Sequence, residues 1–150
     1  MNKITPFLWF DHQAEEAALF YTALFKNSRI VNIQKQGEKV QSVTFHLDGQ
    51  DFMALNGGPH FKFNEAVSFF VHCESQEEVD YFWDQLSAGG QIQQCGWLKD
   101  KFGLSWQIVP SVLGRLMADK DPVKVQLVVQ AMLGMKKLDI QGLSDAYAGK

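Results

Sequence analysis

The chain contains an internal repeat, with one copy in each half of the sequence. Residues 7–24 read FLWFDHQAEEAALFYTAL and residues 70–86 read FVHCESQEEVDYFWDQL. Each copy is a short apolar strand, an acidic stretch and an amphipathic helix with an aromatic pair and a closing leucine. The helices superpose at an offset of 62 residues and the strands at an offset of 63. The repeat predicts two supersecondary units sharing one core, and a site formed by both would use matching positions from each.

Hydrophobic periodicity and turn residues predict a β-α-β-β-β unit in each half. The predicted elements of the first unit are a strand at 4–10, a helix at 14–25 and strands at 29–36, 40–47 and 51–56. Those of the second unit are a strand at 67–73, a helix at 76–88 and strands at 92–96, 97–99 and 104–109. The Ser75–Glu78 capping box and Gly89 mark the ends of the second helix. Helices near 112–119, at 122–135 and from Asp139 form an apolar tail.

Composition limits the classes of function. At 150 residues the chain has the length of one domain, and 46% of its residues are hydrophobic. The formal charge of −3 provides no basic surface for nucleic acid. The N-terminal residues contain no apolar signal-peptide core, and no apolar run reaches the roughly 18 residues of a membrane span. We therefore expect a cytoplasmic protein that binds neither nucleic acid nor membrane.

Four segments resemble a known family. They read ITPFLWF at 4–10, AEEAALFY at 14–21, GPHFKFNEA at 58–66 and CGWLKDKFGLSWQIVP at 95–110, and KKLD follows in the tail. The chain resembles the vicinal oxygen chelate superfamily of glyoxalase I, extradiol dioxygenases and bleomycin-resistance proteins. Within it, the resemblance is to PhnB-like proteins, the 3-demethylubiquinone-9 3-methyltransferase-like branch.

The resemblance implies a fold. It is an α+β fold in which two tandem βαβββ units form a curved mixed sheet with a central cleft, followed by C-terminal helices. On this chain the expectation is a single glyoxalase-like domain at 1–150, with units at about 1–57 and 66–110 and a tail at 111–150. Superfamily relatives commonly pair, so a homodimer is also expected.

Metal-dependent members of the superfamily hold a cation with one ligand at the start of the first strand and one near the end of the last strand of each unit. These positions fall at Thr5, Asn56, Ser68 and Gln107. Only Gln107 is of a usual ligand type, and the other three are neutral, weak donors. The resemblance therefore implies that the metal site is lost, and no cofactor is expected. His72 shares a strand face with Ser68 and could be a replacement ligand, a general base or a cleft-lining residue.

Strand alternation predicts which side chains face the cleft. They are Thr5, Phe7 and Trp9, then Ser68, Phe70 and His72, with Phe52, Ala54 and Asn56 and with Ser105, Gln107 and Val109 on the closing strands. The predicted ligand contacts among them are Phe7, Trp9, Asn56, Ser68, Phe70, His72 and Gln107. An aromatic lining with a few polar groups is typical of a site for a planar or amphipathic small molecule. The alternative is that the aromatic rings fill the space and leave no cavity.

Four other features carry predictions. The loop at 57–64 is expected either to cover the site as a lid or to be held in place by its two phenylalanines. Asp100, which lies between two lysines at a turn, is expected to form a solvated pair or part of a handle for an anionic ligand. His46 is expected on an exposed strand face, and Cys73 as a small buried hydrophobe.

Three functions stay open. The first is a metal-free protein that binds a small amphipathic or aromatic molecule, and the second is a lyase- or dioxygenase-type enzyme with an atypical site around His72. The third is an interaction module that pairs through its helical tail. Methyl transfer is not expected, because Gly57-Gly58 follows a strand, Gly89-Gly90 follows a helix, and neither opens a helix as a phosphate-binding turn does.

Overall fold

The computed structural model describes residues 2–150 and divides into two compact units, with the boundary between Phe63 and Asn64. The predicted α+β class is confirmed, since each unit contains one β-α-β-β-β repeat and helices follow the second. The tail, which the sequence set apart from the second repeat, lies in the same compact unit as that repeat.

The first unit is a four-stranded sheet with one helix. Its elements are β1 (Phe7–Phe10), α1 (Ala14–Leu24), β2 (Arg29–Gln36), β3 (Lys39–Leu47) and β4 (Gln50–Asn56). The strand order is β1-β4-β3-β2, and β1 is parallel to β4 whereas the other pairs are antiparallel. A tight turn at Asp48-Gly49, with both residues at positive φ, joins β3 to β4.

Helix α1 packs on one face of this sheet. Its buried side includes the small residues Ala14, Ala17 and Ala18, which allow the helix to approach the strands closely, and the ring of Tyr21 contacts Phe45. Directly paired residues of neighbouring strands point to the same side. The register therefore assigns Leu8 and Phe10, which pair with Ala54 and Asn56, to the helix-covered face.

The opposite face, here called the first open face, carries Phe7 and Trp9, which pair with Met53 and Leu55. The prediction that Phe52, Ala54 and Asn56 share this face with Phe7 and Trp9 is wrong, because the register puts those three on the helix side. Alternation shows which residues of one strand share a face, but it does not show the register between strands. A shift of one residue reverses the result.

The second unit repeats the arrangement. Its repeat consists of β5 (Ser68–Cys73), α2 (Gln76–Ser87), β6 (Gln91–Ile92), β7 (Trp97–Lys99) and β8 (Ser105–Pro110). The strand order is β5-β8-β7-β6, with β5 parallel to β8. One half of the predicted capping box is present, because the Ser75 hydroxyl accepts from the Glu78 amide at 3.2 Å. The Glu78 carboxylate accepts from the amide of Glu74, the residue before the cap, at 3.2 Å.

The two faces of the second sheet also differ. Trp106 and Ile108 are buried on the face that packs against α2. The other face, here called the second open face, carries the residues that pair across β5 and β8. These pairs are Ser68 with Ser105, Phe70 with Gln107 and His72 with Val109. The prediction that these six residues share one face is therefore confirmed in the second unit.

The tail forms three helices, α3 (Ser111–Met117), α4 (Pro122–Leu133) and α5 (Ile140–Tyr147). Asp121 and Asp139 cap the last two, as their short polar side chains favour. The helices pack on the end of the second open face through a buried cluster of Val109, Leu113, Val128, Leu138 and Leu143. Within residues 2–150, none of the helices is both long and apolar enough to span a membrane.

Candidate functional site

The most distinctive surface feature is a pair of phenylalanines at equivalent positions of the two repeats. Phe7 begins β1 and Phe70 lies in β5, 63 residues further along. Their exposed fractions are 53% and 47%, and both lie on the open face of their sheet. Large rings on a strand are normally covered by the neighbouring layer, so each half-exposed ring identifies, within its own unit, a surface suited to an apolar partner.

In the first unit the crossover loop folds onto Trp9. The Trp9 indole Nε1 donates to the Gly58 carbonyl at 2.9 Å, and its ring meets Phe61 edge-on at a centroid distance of 4.9 Å. A side chain at Gly57 would collide with the indole, because a Cβ there would lie 2.4 Å from it. The ring centroids of Phe63 and Phe10 are 5.2 Å apart. The loop is therefore held in place by its phenylalanines, which is one of the two predicted alternatives. Phe61 nevertheless stays 65% exposed.

In the second unit a polar strip crosses the open face. Gln107 Nε2 donates to the Ser68 hydroxyl at 2.9 Å, so two of the predicted contacts are brought together. Ser105, beside them in the register, is fully buried, and its hydroxyl has no hydrogen-bond partner among residues 2–150. An unpaired buried hydroxyl costs about 1–3 kcal/mol, and an internal water can satisfy it.

His72 lies in the same face but without an orienting partner. Its imidazole contacts the Phe70 ring, with centroids 4.8 Å apart, and its side chain is exposed. In the part of the chain that the structure describes, His72 makes neither a hydrogen bond nor an ion pair. The arrangement provides an aromatic surface beside Phe70. It does not fix the tautomer of the ring, as a catalytic base requires.

The charged turn beyond β7 differs from the prediction. Lys99 pairs with Glu65, with Nζ and Oε1 2.7 Å apart, and this contact lowers the pKa of the Glu65 carboxyl. Asp100 is only 2% exposed, so the prediction of a solvated pair is wrong. Its carboxylate accepts from the Phe102 and Leu104 amides and, at 2.9 Å, from the Trp106 indole. Asp100 therefore organises the turn and is not available to a ligand.

The positions that hold a cation in metal-dependent relatives do not form a ligand set here. Both ends of the Asn56 amide are used: Oδ1 accepts from the Ala14 amide at 2.8 Å, and Nδ2 donates to the Val40 carbonyl at 3.0 Å. Thr5 is a neutral hydroxyl, and the remaining two donors, Ser68 and Gln107, bond to each other. No carboxylate or imidazole is among the four, so they do not fit a divalent cation. Among the described residues, no cluster of three or more His, Cys, Asp or Glu side chains is present.

The sequence did not predict a pair of ionisable residues that lies on the first open face. His46 Nδ1 lies 2.6 Å from Asp51 Oδ1, and Asp51 is only 6% exposed. The Asn2 amide donates to the other carboxylate oxygen at 3.0 Å; this bond and the His46 ring lower the pKa of Asp51. The two-residue Asp48-Gly49 turn could have revealed the pair, since it sets His46 opposite Asp51.

The sequence and the fold both have relatives. The sequence model of the family described as 3-demethylubiquinone-9 3-methyltransferase matches residues 2–109. A solved structure of a PhnB protein from Bacillus cereus, described as a 3-demethylubiquinone-9 3-methyltransferase, is 39% identical with a TM-score of 0.70. The match covers 73% of this chain and 100% of that one. A comparison with curated protein sequences finds no match.

More distant structures share the fold alone. A protein from Pseudomonas aeruginosa is 17% identical with a TM-score of 0.62, over 73% of this chain and 98% of that one. The fosfomycin resistance protein FosX from Listeria monocytogenes is 13% identical with a TM-score of 0.50, over 70% of this chain and 87% of that one. The repeated βαβββ unit is therefore shared well beyond the range of sequence similarity.

Proposed function

The chain belongs to the 3-demethylubiquinone-9 3-methyltransferase family of PhnB-like proteins, and we propose that within this family it binds a small amphipathic or aromatic molecule without a metal. The observation that carries the proposal is the matched exposure of Phe7 and Phe70. Fully burying an exposed aromatic side chain contributes about 1.5–3 kcal/mol, so covering either half-exposed ring contributes about half of that within its own unit before any polar contact is added.

Polar groups beside Phe70 favour an amphipathic ligand over a purely apolar one. Ser68 and Gln107 already bond to each other, and each keeps further hydrogen-bonding capacity for a ligand. We assign ligand contact to Phe7 and Trp9 in the first unit and to Ser68, Phe70, His72 and Gln107 in the second. We assign Asn56 to positioning, because its amide holds the start of α1.

Methyl transfer is not part of the proposal, although the family description names it. A methyl donor that carries a nucleotide usually rests on a glycine-rich turn that opens a helix. Gly57 and Gly58 follow β4 and lie beside Trp9 and His60, whereas Gly89 and Gly90 follow α2. Neither pair opens a helix. A lyase- or dioxygenase-type reaction at His72 stays a prediction, and the lack of an orienting partner among the described residues does not favour it.

The test is a binding titration with anilinonaphthalenesulfonate, an amphipathic aromatic dye whose fluorescence rises in an apolar site. Phe7→Ala and Phe70→Ala are expected to weaken binding. Tyr81→Ala is the matched control, because Tyr81 is an aromatic residue on α2 with 44% exposure. Dye binding to the two phenylalanine variants as strong as to the wild type, or equal losses in all three variants, would contradict the assignment of the open faces.

We also propose a homodimer. The support is the apolar surface of α4, where Val123 is 67% exposed and Leu133 is 59% exposed. Exposed apolar residues on one helix favour association with a second copy. Light scattering at micromolar concentration is expected to give twice the chain mass, and Val123→Glu is expected to shift the equilibrium towards monomer. A monomeric wild type would remove the proposal.

A further inference from the structure

We propose that the second unit contains a peptide-binding groove, and that residues 135–140 of its own tail, here called the strap, occupy it as a docked arm. The strap reads MKKLDI and links α4 to α5. The ligand class is an extended peptide with a leucine to bury and a lysine before it. The arm opens and closes while the repeat stays folded. The inference goes beyond the proposed function, because none of the ligand contacts assigned above belongs to the groove.

The first half of the strap is held through its backbone. The Cys95 amide donates to the Met135 carbonyl at 2.8 Å, and the Gly96 amide donates to the Lys136 carbonyl at 2.8 Å. Cys95 and Gly96 lie in the turn before β7, so these two amides are not used by the strands of the sheet. Successive main-chain hydrogen bonds to a separate segment are the usual way in which proteins bind an extended peptide.

The second half of the strap is held by a side chain of α2. Gln76 Nε2 donates to the Leu138 carbonyl at 3.1 Å, and Gln76 Oε1 accepts from the Ile140 amide at 2.7 Å. The residue between them, Asp139, has an extended backbone with φ −113° and ψ 113°. A glutamine amide has both donors and an acceptor, so it pairs with the two backbone groups as a neighbouring strand would.

Two side chains of the strap give the groove its specificity. Leu138 is fully buried and belongs with Val109 to the cluster described above. Gly96 provides the space for it, since a Cβ at that position would lie 3.0 Å from Leu138 Cδ1. Lys137 Nζ lies 3.0 Å from Asp80 Oδ1. The groove therefore selects an apolar anchor preceded by a cation.

Two observations favour a docked arm over an integral part of the core. The tail helices contact one another more than they contact the sheet, so most of their packing does not depend on the repeat. The family match ends at residue 109, before α3 begins, so the repeat is recognisable without the tail. Elements with few contacts to the rest of a domain open at a lower free energy than its core strands.

The docked strap closes one end of the second open face. Val109 pairs with His72 across β8 and β5, and it is only 7% exposed, within the same buried cluster as Leu138. Departure of the strap uncovers Val109 and extends the apolar surface beside His72. The groove therefore controls how much of that face is open.

The first experiment measures amide hydrogen exchange of the wild-type protein by NMR at low urea concentrations. The Cys95, Gly96 and Ile140 amides donate across the groove, so they are expected to exchange together, about tenfold or more faster than the Trp106 amide of the central strand β8. Exchange of all four amides at one common rate, through global unfolding alone, would overturn the docked arm.

The second experiment offers the groove a fluorescein-labelled peptide with the sequence of residues 134–142 and measures anisotropy. Leu138→Ala weakens the resident strap, so this variant is expected to bind the peptide about tenfold or more tightly than the wild type, whose tethered strap competes at high effective concentration. The peptide that itself carries Leu138→Ala is the matched control, and it is expected to bind neither protein. Equal affinity of the two peptides for the variant would contradict recognition of the leucine.

Gln76→Ala provides a second variant, and it leaves the buried cluster unchanged. It removes both side-chain bonds to the strap, so exchange at Gly96 is expected to accelerate about tenfold while that of Trp106 is unchanged. Unchanged exchange at Gly96 in a variant with the wild-type circular dichroism spectrum would overturn the role of Gln76. If Leu138→Ala does not fold, Gln76→Ala takes its place in the peptide titration. None of these measurements uses the dye, so they stand whether or not the proposed ligand contacts are correct.

Discussion

Asp100 shows how one buried carboxylate can shape a turn. Its Oδ1 accepts from the Phe102 and Leu104 amides, and its Oδ2 accepts from the Trp106 indole at 2.9 Å. The flanking Lys99 and Lys101 suggested a solvated charge, but two backbone amides and one indole provide three donors within six residues. These three donors replace the water that would otherwise solvate the carboxylate, so its burial costs little free energy.

Asp100→Ala is therefore expected to lower the free energy of unfolding by about 3 kcal/mol or more, since hydrogen bonds to charged groups contribute about 1.5–3 kcal/mol each. Asp100→Asn should cost less, because it keeps an acceptor for the amides but presents a donor to the Trp106 indole. Urea denaturation measures both changes. Asp84→Ala, on the exposed side of α2, is the control and should stay within about 0.5 kcal/mol of the wild type.

Cys73 illustrates what burial does to reactivity. The thiol is fully buried in β5, and burial, with a smaller contribution from Glu78, raises its pKa to about 12. Because the thiolate is the reactive form, Cys73 should resist iodoacetamide in the folded protein, whereas the half-buried Cys95 should react. Mass spectrometry should find one label in the native state and two in denaturant. Labelling of native Cys73 at the rate of Cys95 would show that the strand opens readily.

At the level of elements, the two repeats begin their helices in different ways. Helix α2 is capped from its own sequence by Ser75. Helix α1 has Gln13 at the N-cap position, and Gln13 makes no capping bond through its side chain. Asn56, at the end of β4, accepts from the Ala14 amide in its place and also donates to β3 at Val40. The role predicted for Asn56 was ligand contact, whereas its bonds give it a structural one.

Asn56→Ala is expected to lower the free energy of unfolding by about 1–2 kcal/mol, the usual effect of losing a helix cap. Gln13→Ala is the matched control, since it occupies the formal cap position without capping, and it should have little effect. Urea denaturation of both variants measures the difference. Equal losses would mean that the local sequence of α1, and not the bond from β4, sets the start of the helix.

The elements themselves were largely predictable, and the exceptions have physical reasons. The bounds of β2 at Arg29–Gln36 and of β7 at Trp97–Lys99 agree with the prediction, because alternation and turn residues define them. The first strand starts at Phe7 and not at residue 4, since Pro6 has no amide hydrogen for the ladder. What the sequence could not supply was the register of the parallel β1–β4 pair, because no short turn joins these strands.

For the molecule as a whole, the repeat was the strongest predictor. It gave the same element order in both units, and it gave the equivalent positions of Phe7 and Phe70. Within each unit, hydrogen bonds between residues far apart in the sequence were not predicted. The Asn2–Asp51 bond, for example, joins residues 49 apart. The bond between Gln107 and Ser68 joins residues 39 apart, and the parallel pairing of β5 and β8 brings these residues together.

The ionisable groups of both units predict how stability depends on pH. Hydrogen bonds and ion pairs lower the pKa of Asp51, Glu65, Asp80 and Asp119 below their ordinary values of 3.8 for Asp and 4.5 for Glu. A lowered carboxyl pKa contributes stability above the ordinary value, and that contribution is lost as the pH falls towards the folded-state pKa. The Asp119 bond also raises the pKa of Tyr147 above 10.0, so its contribution is present below that pH and is lost above it.

The free energy of unfolding should therefore be nearly constant between about pH 5 and pH 9 and should fall on both sides. Urea denaturation across this range provides the curve, and two variants assign its parts. Asp51→Asn should flatten the acid side, because it removes a carboxyl whose pKa is lowered in the folded state. Tyr147→Phe should flatten the alkaline side, because it removes the phenol that Asp119 holds protonated. An acid side that is unchanged in Asp51→Asn would mean that the carboxylates of the second unit carry the acid dependence.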